Sequence, residues 1–255
     1  DLGDSIEAIL LVGSLATGSY VPGPGDVDQV TVLTQSAAEG TEQKVLEHIE
    51  AAMTAFGGAV NLARVVYRPS DLQRPWSTEW DYRPETKHLV CVADVLLMLH
   101  EHGQVLYGDE FDISQLPTPT MEEMVAYEER WRRWNREVSK RRPDMALRKE
   151  QPLSAKLAVN AILTNAMWHY YCATGRTCYN KHHVAERLRR EVPNYGFHDA
   201  VGLATQVRMS GFKDVSAETV ESLNKLWKPM ADWLRSNPAD AVPLAGEGGC
   251  SPVAP

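Results

Sequence analysis

An apolar run that ends in a glycine-serine turn, followed by a pair of aspartates, constrains the fold of this chain more than any other feature. Residues 9–12 form the apolar run, which is typical of a buried strand, and Gly13 and Ser14 end it with a sharp turn. After a loop rich in glycine and proline, Asp26 and Asp28 precede a second apolar run. Because side chains alternate along a strand, both carboxylates are predicted to lie on one face of the second strand.

Two carboxylates on one face of a strand repel each other unless a cation lies between them. Their hard oxygen atoms suit Mg²⁺, which in turn binds phosphate groups. Glycine allows the backbone to approach a ligand closely, and free N–H groups in such a turn can bind an anion. The sequence therefore predicts a magnesium site that binds a nucleoside triphosphate, formed by Asp26, Asp28 and the turn at Gly13. Taken alone, an Asp-x-Asp pair is more often a solvated strand edge.

The composition limits the class of protein. The chain has 255 residues, 44% of them hydrophobic and 24% charged, which is typical of a globular protein with one or two domains. Its net charge of −8 argues against a protein that binds nucleic acid without sequence specificity, because such proteins normally have a basic surface. No apolar run approaches the roughly 18 residues of a membrane span, and no signal peptide is recognisable. The four cysteines form no C-x-x-C pair, so we expect no zinc site and a cytoplasmic protein.

The apolar pattern changes along the chain from alternating strands and helices to helices alone. In residues 1–116, segments typical of strands alternate with segments typical of helices, which predicts an α/β layer. A linker rich in proline and threonine opens the next domain, 117–236, which is predicted to be all-α, with Thr118 or Thr120 capping its first helix. Residues 237–255 are predicted to be a loose C-terminal tail. The predicted strands are 9–12, 30–33, 59–67 and 104–108, and the predicted helices are 41–55, 89–100, 121–140, 153–172, 180–192, 199–209 and 217–234.

The turn and the aspartate pair together resemble the signature of the nucleotidyltransferase superfamily, in which Gly-Ser, a loop and Asp-x-Asp follow one another. Further along, the chain resembles the aminoglycoside adenylyltransferases that modify streptomycin and spectinomycin. Residues 59–66 are similar to their third catalytic strand, 78–80 to their Gly-Glu-Trp element, and 174–193 to their helical-domain pattern. The resemblance spans residues 6–233 sparsely. It implies an α/β nucleotidyltransferase domain with a small mixed sheet and flanking helices, plus an all-α helical bundle that binds the substrate.

The resemblance also implies an activity, which in that family causes antibiotic resistance. AMP would pass from ATP to a hydroxyl of a small acceptor, such as an aminoglycoside or a natural-product intermediate. Neither a membrane nor nucleic acid is an expected partner, although a protein acceptor stays open. Asp26 and Asp28 would bind Mg²⁺, and Asn61 completes the predicted catalytic set. The implied nucleotide-binding residues are Gly13, Ser14, Lys181, Arg208 and Lys213, and the implied acceptor-binding residues are Glu79, Trp80, His182 and Glu186.

Two positions depart from the family's pattern. Asn61 stands where the family has its glutamate base, and an amide cannot take up a proton, although its carbonyl oxygen can bind a cation. Three explanations are open: a carboxylate of the loop that includes Glu79 is the base, the acceptor is already an anion, or the protein binds nucleotide without turnover. His182 stands where the family has an acid, so a strongly cationic acceptor would be bound less well.

Overall fold

The computed structural model of the chain describes residues 2–22, 25–55, 61–74, 82–83, 88–89, 92–141 and 153–245, with the backbone alone for 61–64, 82–83, 88–89 and 134–141. The chain divides into two compact units, Asp1–Arg130 and Trp131–Pro255. This division falls inside a long helix, Met121–Arg141, whereas the sequence placed the boundary at the linker that precedes it, at residue 117.

The first unit combines a mixed sheet with helices. Its elements are β1 (Ile6–Val12), α1 (Gly13–Ala16), β2 (Asp26–Leu33), α2 (Thr41–Ala55), β3 (Asn61–Tyr67), β4 (Tyr82–Arg83), β5 (His88–Leu89), α3 (Val92–His102), β6 (Gln104–Tyr107) and the start of α4 (Met121–Arg141). The main sheet has the order β3-β2-β1-β6, and β4 pairs with β5 separately. Strand β1 is antiparallel to β2 and β6, whereas β3 is parallel to β2. The predicted α/β domain with a small mixed sheet is confirmed.

Two apolar clusters flank the main sheet. One cluster contains Leu10 of β1 and Val30 of β2 together with Leu96 of α3. The other contains Leu33 of β2, at the end of the strand, together with Val45 of α2. Burial of such side chains is the main favourable contribution to folding, about 25 cal/mol for each Å² of apolar surface removed from water. The sheet is therefore a stable support for the residues at the start of β2.

The start of α4 is fixed by a capping box. Thr120 Oγ1 accepts from the Glu123 N–H at 3.2 Å, and Glu123 Oε2 accepts from the Thr120 N–H at 2.8 Å. Arg74 donates to both carboxylate oxygens of Glu123, at 2.7 and 2.8 Å, and to the Thr118 carbonyl oxygen at 2.7 Å. The hydrogen bond from Arg74 lowers the pKa of Glu123. Of the two predicted caps, Thr120 is therefore the one used.

The second unit is helical, as predicted. After the end of α4 it contains α5 (Ala155–Thr174), α6 (Val184–Glu191), α7 (His198–Met209) and α8 (Ala217–Ser236). Ser154 caps α5 by accepting from the Leu157 N–H at 3.4 Å, and Gly175 ends α5 in the left-handed conformation, with φ 66°. The core includes Ile162 of α5, Leu188 of α6, Val201 of α7 and Leu223 of α8. None of the helices in the described part of the chain combines the length and apolar character needed to cross a membrane.

The stretch after α8 is not loose, at least through residue 245. The Ala239 carbonyl oxygen accepts from Trp168 Nε1 at 2.7 Å, and the Pro243 carbonyl oxygen accepts from the Gly196 N–H at 2.8 Å. Tyr195 and Leu244 form an isolated β-bridge. The prediction of a loose tail is therefore wrong for 237–245, because backbone hydrogen bonds hold this stretch to the helices. Residues 246–255 lie outside the described part of the chain.

Candidate functional site

The predicted acidic pair lies at the start of β2. Asp26 and Asp28 are both half-buried and lie two residues apart on the strand, so they share one of its faces. Val12, the last residue of β1, pairs with Asp28 in the antiparallel ladder. The turn that follows β1 is therefore placed beside the carboxylate of Asp28, although Gly13 and Asp28 are well separated in sequence.

Gly13 is in direct contact with that carboxylate. A Cβ atom added at Gly13 would lie 1.8 Å from Asp28 Oδ2 and 2.5 Å from its Cγ. Gly13 also has φ +70°, a conformation that residues with a side chain rarely adopt. Both the space and the backbone conformation therefore require glycine, and the carboxylate of Asp28 occupies the space that any side chain would need.

Hydrogen bonds fix the turn after β1 and tie it to β2. The Ser19 N–H donates to the Ser14 carbonyl oxygen at 2.8 Å, and Thr17 Oγ1 donates to the same oxygen at 3.2 Å. Ser14 Oγ donates a long hydrogen bond of 3.5 Å to the Asp26 carbonyl oxygen. The turn and the start of β2 are thus held together by the pairing of β1 with β2 and by the side chain of Ser14.

Asn61 lies beside this pair in the sheet. It opens β3 and is opposite Asp26 in the parallel register. Among the residues that the structure describes, no group of three or more His, Cys, Asp and Glu side chains could hold a metal ion. Mg²⁺, however, is commonly bound by only one or two carboxylates together with substrate phosphates. The donor set of Asp26 and Asp28 therefore fits Mg²⁺ that arrives with a nucleotide.

The second unit brings together two of the other predicted residues. His182 lies in the turn before α6 and is half-buried, and Arg208, near the end of α7, is 5% exposed. Burial lowers the pKa of His182, and electrostatic interaction with the nearby Arg208 and His183 lowers it further. Lys181 directly precedes His182, whereas Lys213 is exposed beyond the end of α7.

The remaining predicted residues are either exposed or outside the described structure. Glu186 has a side chain that is 69% exposed, and it pairs with Arg190 at 3.4 Å and with His183 at 3.9 Å. This arrangement is typical of a solvated helix face, where each pair contributes little to stability. Glu79 and Trp80 lie outside the described residues.

A network around Tyr170, which the sequence did not indicate, fixes the segment before α6. The Tyr170 hydroxyl donates to the carboxylate of Glu191, which also accepts from Arg176. A hydrogen bond with Tyr170 raises the pKa of Arg187, and Arg187 Nη1 donates to the Thr177 carbonyl oxygen at 3.5 Å. The periodicity of α5 predicts that Tyr170 is buried, but no sequence signal shows which charged residues lie next to it.

The comparison with solved structures agrees with this architecture. No family model matches the chain, and no curated protein matches it either. The chain is similar to spectinomycin adenyltransferase AAD(9) from Enterococcus faecialis, whose crystal structure contains ATP and spectinomycin, with a TM-score of 0.52. The sequence identity is 15%, and the match covers 89% of this chain and 93% of that one. At this identity the likeness shows the fold alone. The chain has a nucleotidyltransferase-like fold.

Proposed function

We propose that the chain is a nucleotidyltransferase. It would transfer a nucleotide, in the first instance AMP from ATP, to an oxygen atom of a small acceptor such as an aminoglycoside or a natural-product intermediate. The observation that carries this proposal is the contact between the Asp28 carboxylate and the Cα of Gly13, in a turn that is hydrogen-bonded to the start of β2. The fold shared with an adenyltransferase supports it, because that protein was crystallised with ATP.

The described residues suit separate tasks in this reaction. Asp26 and Asp28 would hold Mg²⁺, which neutralises charge on the phosphoryl oxygens when it is bound. Gly13 leaves room for the Asp28 carboxylate, and Ser14 fixes the main chain at Asp26. The backbone N–H groups of Gly13 and Ser14 would bind phosphate oxygens. Fixed donors of this kind need no reorganisation as charge moves during the reaction.

The roles expected for the other residues stay predictions. Lys181, Arg208 and Lys213 are predicted to bind the triphosphate. Glu79, Trp80, His182 and Glu186 are predicted to bind the acceptor.

Nucleotide binding is the first test of the proposal. Mg²⁺ with ATP is expected to raise the melting temperature of the wild-type protein, because a ligand at 100 times its Kd stabilises the folded state by about 2.7 kcal/mol. The double variant Asp26→Asn, Asp28→Asn is expected to lose this shift. Asp109→Asn, which changes an exposed aspartate of the same unit, is the matched control and should keep it. If none of the four ribonucleoside triphosphates shifts the wild-type melting temperature, the proposal is wrong.

A protein that binds nucleotide without turnover is the second candidate, and Asn61 is the observation that favours it. Loss of a general base typically costs a factor of about 10² to 10⁴ in rate, so a slow enzyme and an inactive one need a direct comparison. Asn61→Glu is expected to increase pyrophosphate release with a hydroxyl acceptor if the base alone is missing. An unchanged or lower rate, measured with a coupled pyrophosphate assay, would contradict that explanation.

A further inference from the structure

Strand pairing supports Asp26 on one side only. The antiparallel register of β1 with β2 ends at the pair of Val12 and Asp28, so Asp26 lies beyond the last residue of β1. On its other side, Asp26 is paired with Asn61 of β3. On the side of β1, the main chain of Asp26 is therefore supported by the loop that joins β1 to β2, from which Ser14 Oγ donates its long hydrogen bond of 3.5 Å.

The end of this loop is tightly packed directly before Asp26. The Gly25 N–H donates to the Val21 carbonyl oxygen at 2.7 Å. Val21 is 5% exposed, and Gly25 is buried as well. A Cβ atom added at Gly25 would lie 2.5 Å from the same carbonyl oxygen, closer than real Cβ atoms approach other atoms. Val21 and Gly25 are thus held together in a contact that leaves no space for a side chain at position 25.

The aromatic ring of Tyr20 packs against this contact. Its Cε2 and Cδ2 atoms would lie 2.9 and 3.0 Å from a Cβ atom added at Gly25, so the ring lies against the main chain of Gly25. Tyr20 itself is half-buried. A tyrosine supplies a large, rigid contact surface and loses little conformational entropy when it is fixed, because it has only two side-chain torsions. The main chain that leads into Asp26 is therefore in contact with a rigid side chain.

We propose that Tyr20 positions Asp26 for Mg²⁺ by holding the main chain at Gly25 in place. This inference rests on the proposed nucleotide site and adds to it a residue that supports a metal ligand without touching the metal. Mg²⁺ demands near-ideal octahedral geometry, so a carboxylate on a main chain that can shift binds it less well. Loss of residues that support metal ligands typically weakens metal binding by roughly 10- to 100-fold. The lower end of this range applies to Tyr20, because its ring acts by packing.

Calorimetric titration with ATP in the presence of Mg²⁺ tests this role. Tyr20→Ala is expected to raise the Kd of ATP about tenfold, whereas Tyr20→Phe, which keeps the ring, should stay within about twofold of the wild-type value. Tyr107→Ala is the matched control, because Tyr107 is a tyrosine of the same unit that is 48% exposed, and it should bind ATP like the wild-type protein. If Tyr20→Ala does not fold, Tyr20→Leu takes its place, with the same increase expected.

A double-mutant cycle with Asp26 shows whether Tyr20 acts through that residue. The cycle compares Tyr20→Ala, Asp26→Asn and the double variant. Substitutions that remove the same interaction are not additive, so adding Tyr20→Ala to Asp26→Asn should change the Kd of ATP less than about twofold. An equal increase on both backgrounds would mean that Tyr20 contacts the nucleotide directly or supports the fold in general, and the positioning role would be overturned.

The outcomes separate this inference from the proposed function. If the wild-type protein does not bind ATP with Mg²⁺, the proposed function itself fails. If the wild-type protein binds ATP and Tyr20→Ala binds it equally well, the positioning role is refuted and the nucleotide site stands. If Tyr20→Phe binds ATP as weakly as Tyr20→Ala, the hydroxyl group rather than the ring is responsible, and the role assigned to the ring is likewise refuted.

Discussion

Part of the acid destabilisation of the second unit should come from His169. His169 of α5 is fully buried, with its Nδ1 atom 3.0 Å from the Tyr195 hydroxyl and its ring edge-on to Trp233 at a centroid distance of 5.2 Å. Burial, together with the nearby positive charge of Arg132, lowers the pKa of His169 to about 3. In the unfolded chain the pKa of a histidine is about 6.5. The folded state therefore keeps this imidazole neutral over a range in which the unfolded state is protonated.

The sign and the size of the effect follow from this difference. Between pH 6.5 and pH 3, the unfolded state binds one more proton at His169 than the folded state, so the free energy of unfolding falls as the pH falls. Each pH unit below the unfolded pKa costs about 1.4 kcal/mol. At pH 5, about 1.5 units below it, the expected loss from this residue is about 2 kcal/mol. Above pH 6.5 both states are neutral at this position, and the contribution to pH dependence disappears.

Urea unfolding at pH 7.5 and pH 5.0, for the wild-type protein and for His169→Gln, measures this contribution. Tryptophan fluorescence reports mainly on the second unit, which contains Trp131, Trp134, Trp168, Trp227 and Trp233. The loss of stability between the two pH values should be about 2 kcal/mol greater in the wild-type protein than in His169→Gln. His183→Gln, at an exposed position, should behave like the wild-type protein. Equal losses in the wild-type protein and His169→Gln would refute the reasoning.

Three further substitutions test other features. Gly13→Ala should abolish the thermal shift caused by Mg²⁺ and ATP, because its Cβ would collide with the Asp28 carboxylate; a normal shift by differential scanning fluorimetry would contradict the site geometry. Thr120→Ala should lower the unfolding free energy of the first unit by about 1 kcal/mol, measured with urea, whereas Thr118→Ala should have little effect. Gly175→Ala should cost roughly 1 kcal/mol in the second unit, because a left-handed residue gains a Cβ atom; no change in the urea midpoint would argue against that conformation.

Sequence patterns predicted helices well where local signals were complete. Helix α2 has the predicted bounds, Thr41–Ala55, because its apolar face is regular and glycines follow it. Helix α3 begins at Val92 rather than at Leu89, because Leu89 pairs with Tyr82 in a small sheet. Strand β2 begins at Asp26, before the apolar residues that marked it, since pairing with both neighbouring strands extends it. The local sequence pattern therefore predicts the bounds of an element only where pairing with a distant segment does not change them.

The residue types of the candidate site could be predicted from the sequence, but the contacts between them could not. The aspartate pair and the glycine turn are visible in the sequence, yet the contact between Gly13 and Asp28 exists only because β1 and β2 pair in one register. The approach of Arg208 to His182 likewise depends on how α6 packs against α7. No sequence pattern predicts that His182 Nε2 is buried without a hydrogen-bond partner among the residues that the structure describes.

The last described segment of the chain sets a limit on how far the protein can be shortened. A fragment that stopped at Ser236, where the final helix ends, would remove the carbonyl groups of Ala239 and Pro243. The indole N–H of Trp168 and the amide of Gly196 would then lose their acceptors, and Ala239, itself 2% exposed, would no longer cover its neighbours. The shortened helix bundle would expose apolar surface, through which copies of the fragment would associate. A fragment designed to stay in solution should therefore extend at least to Ala245.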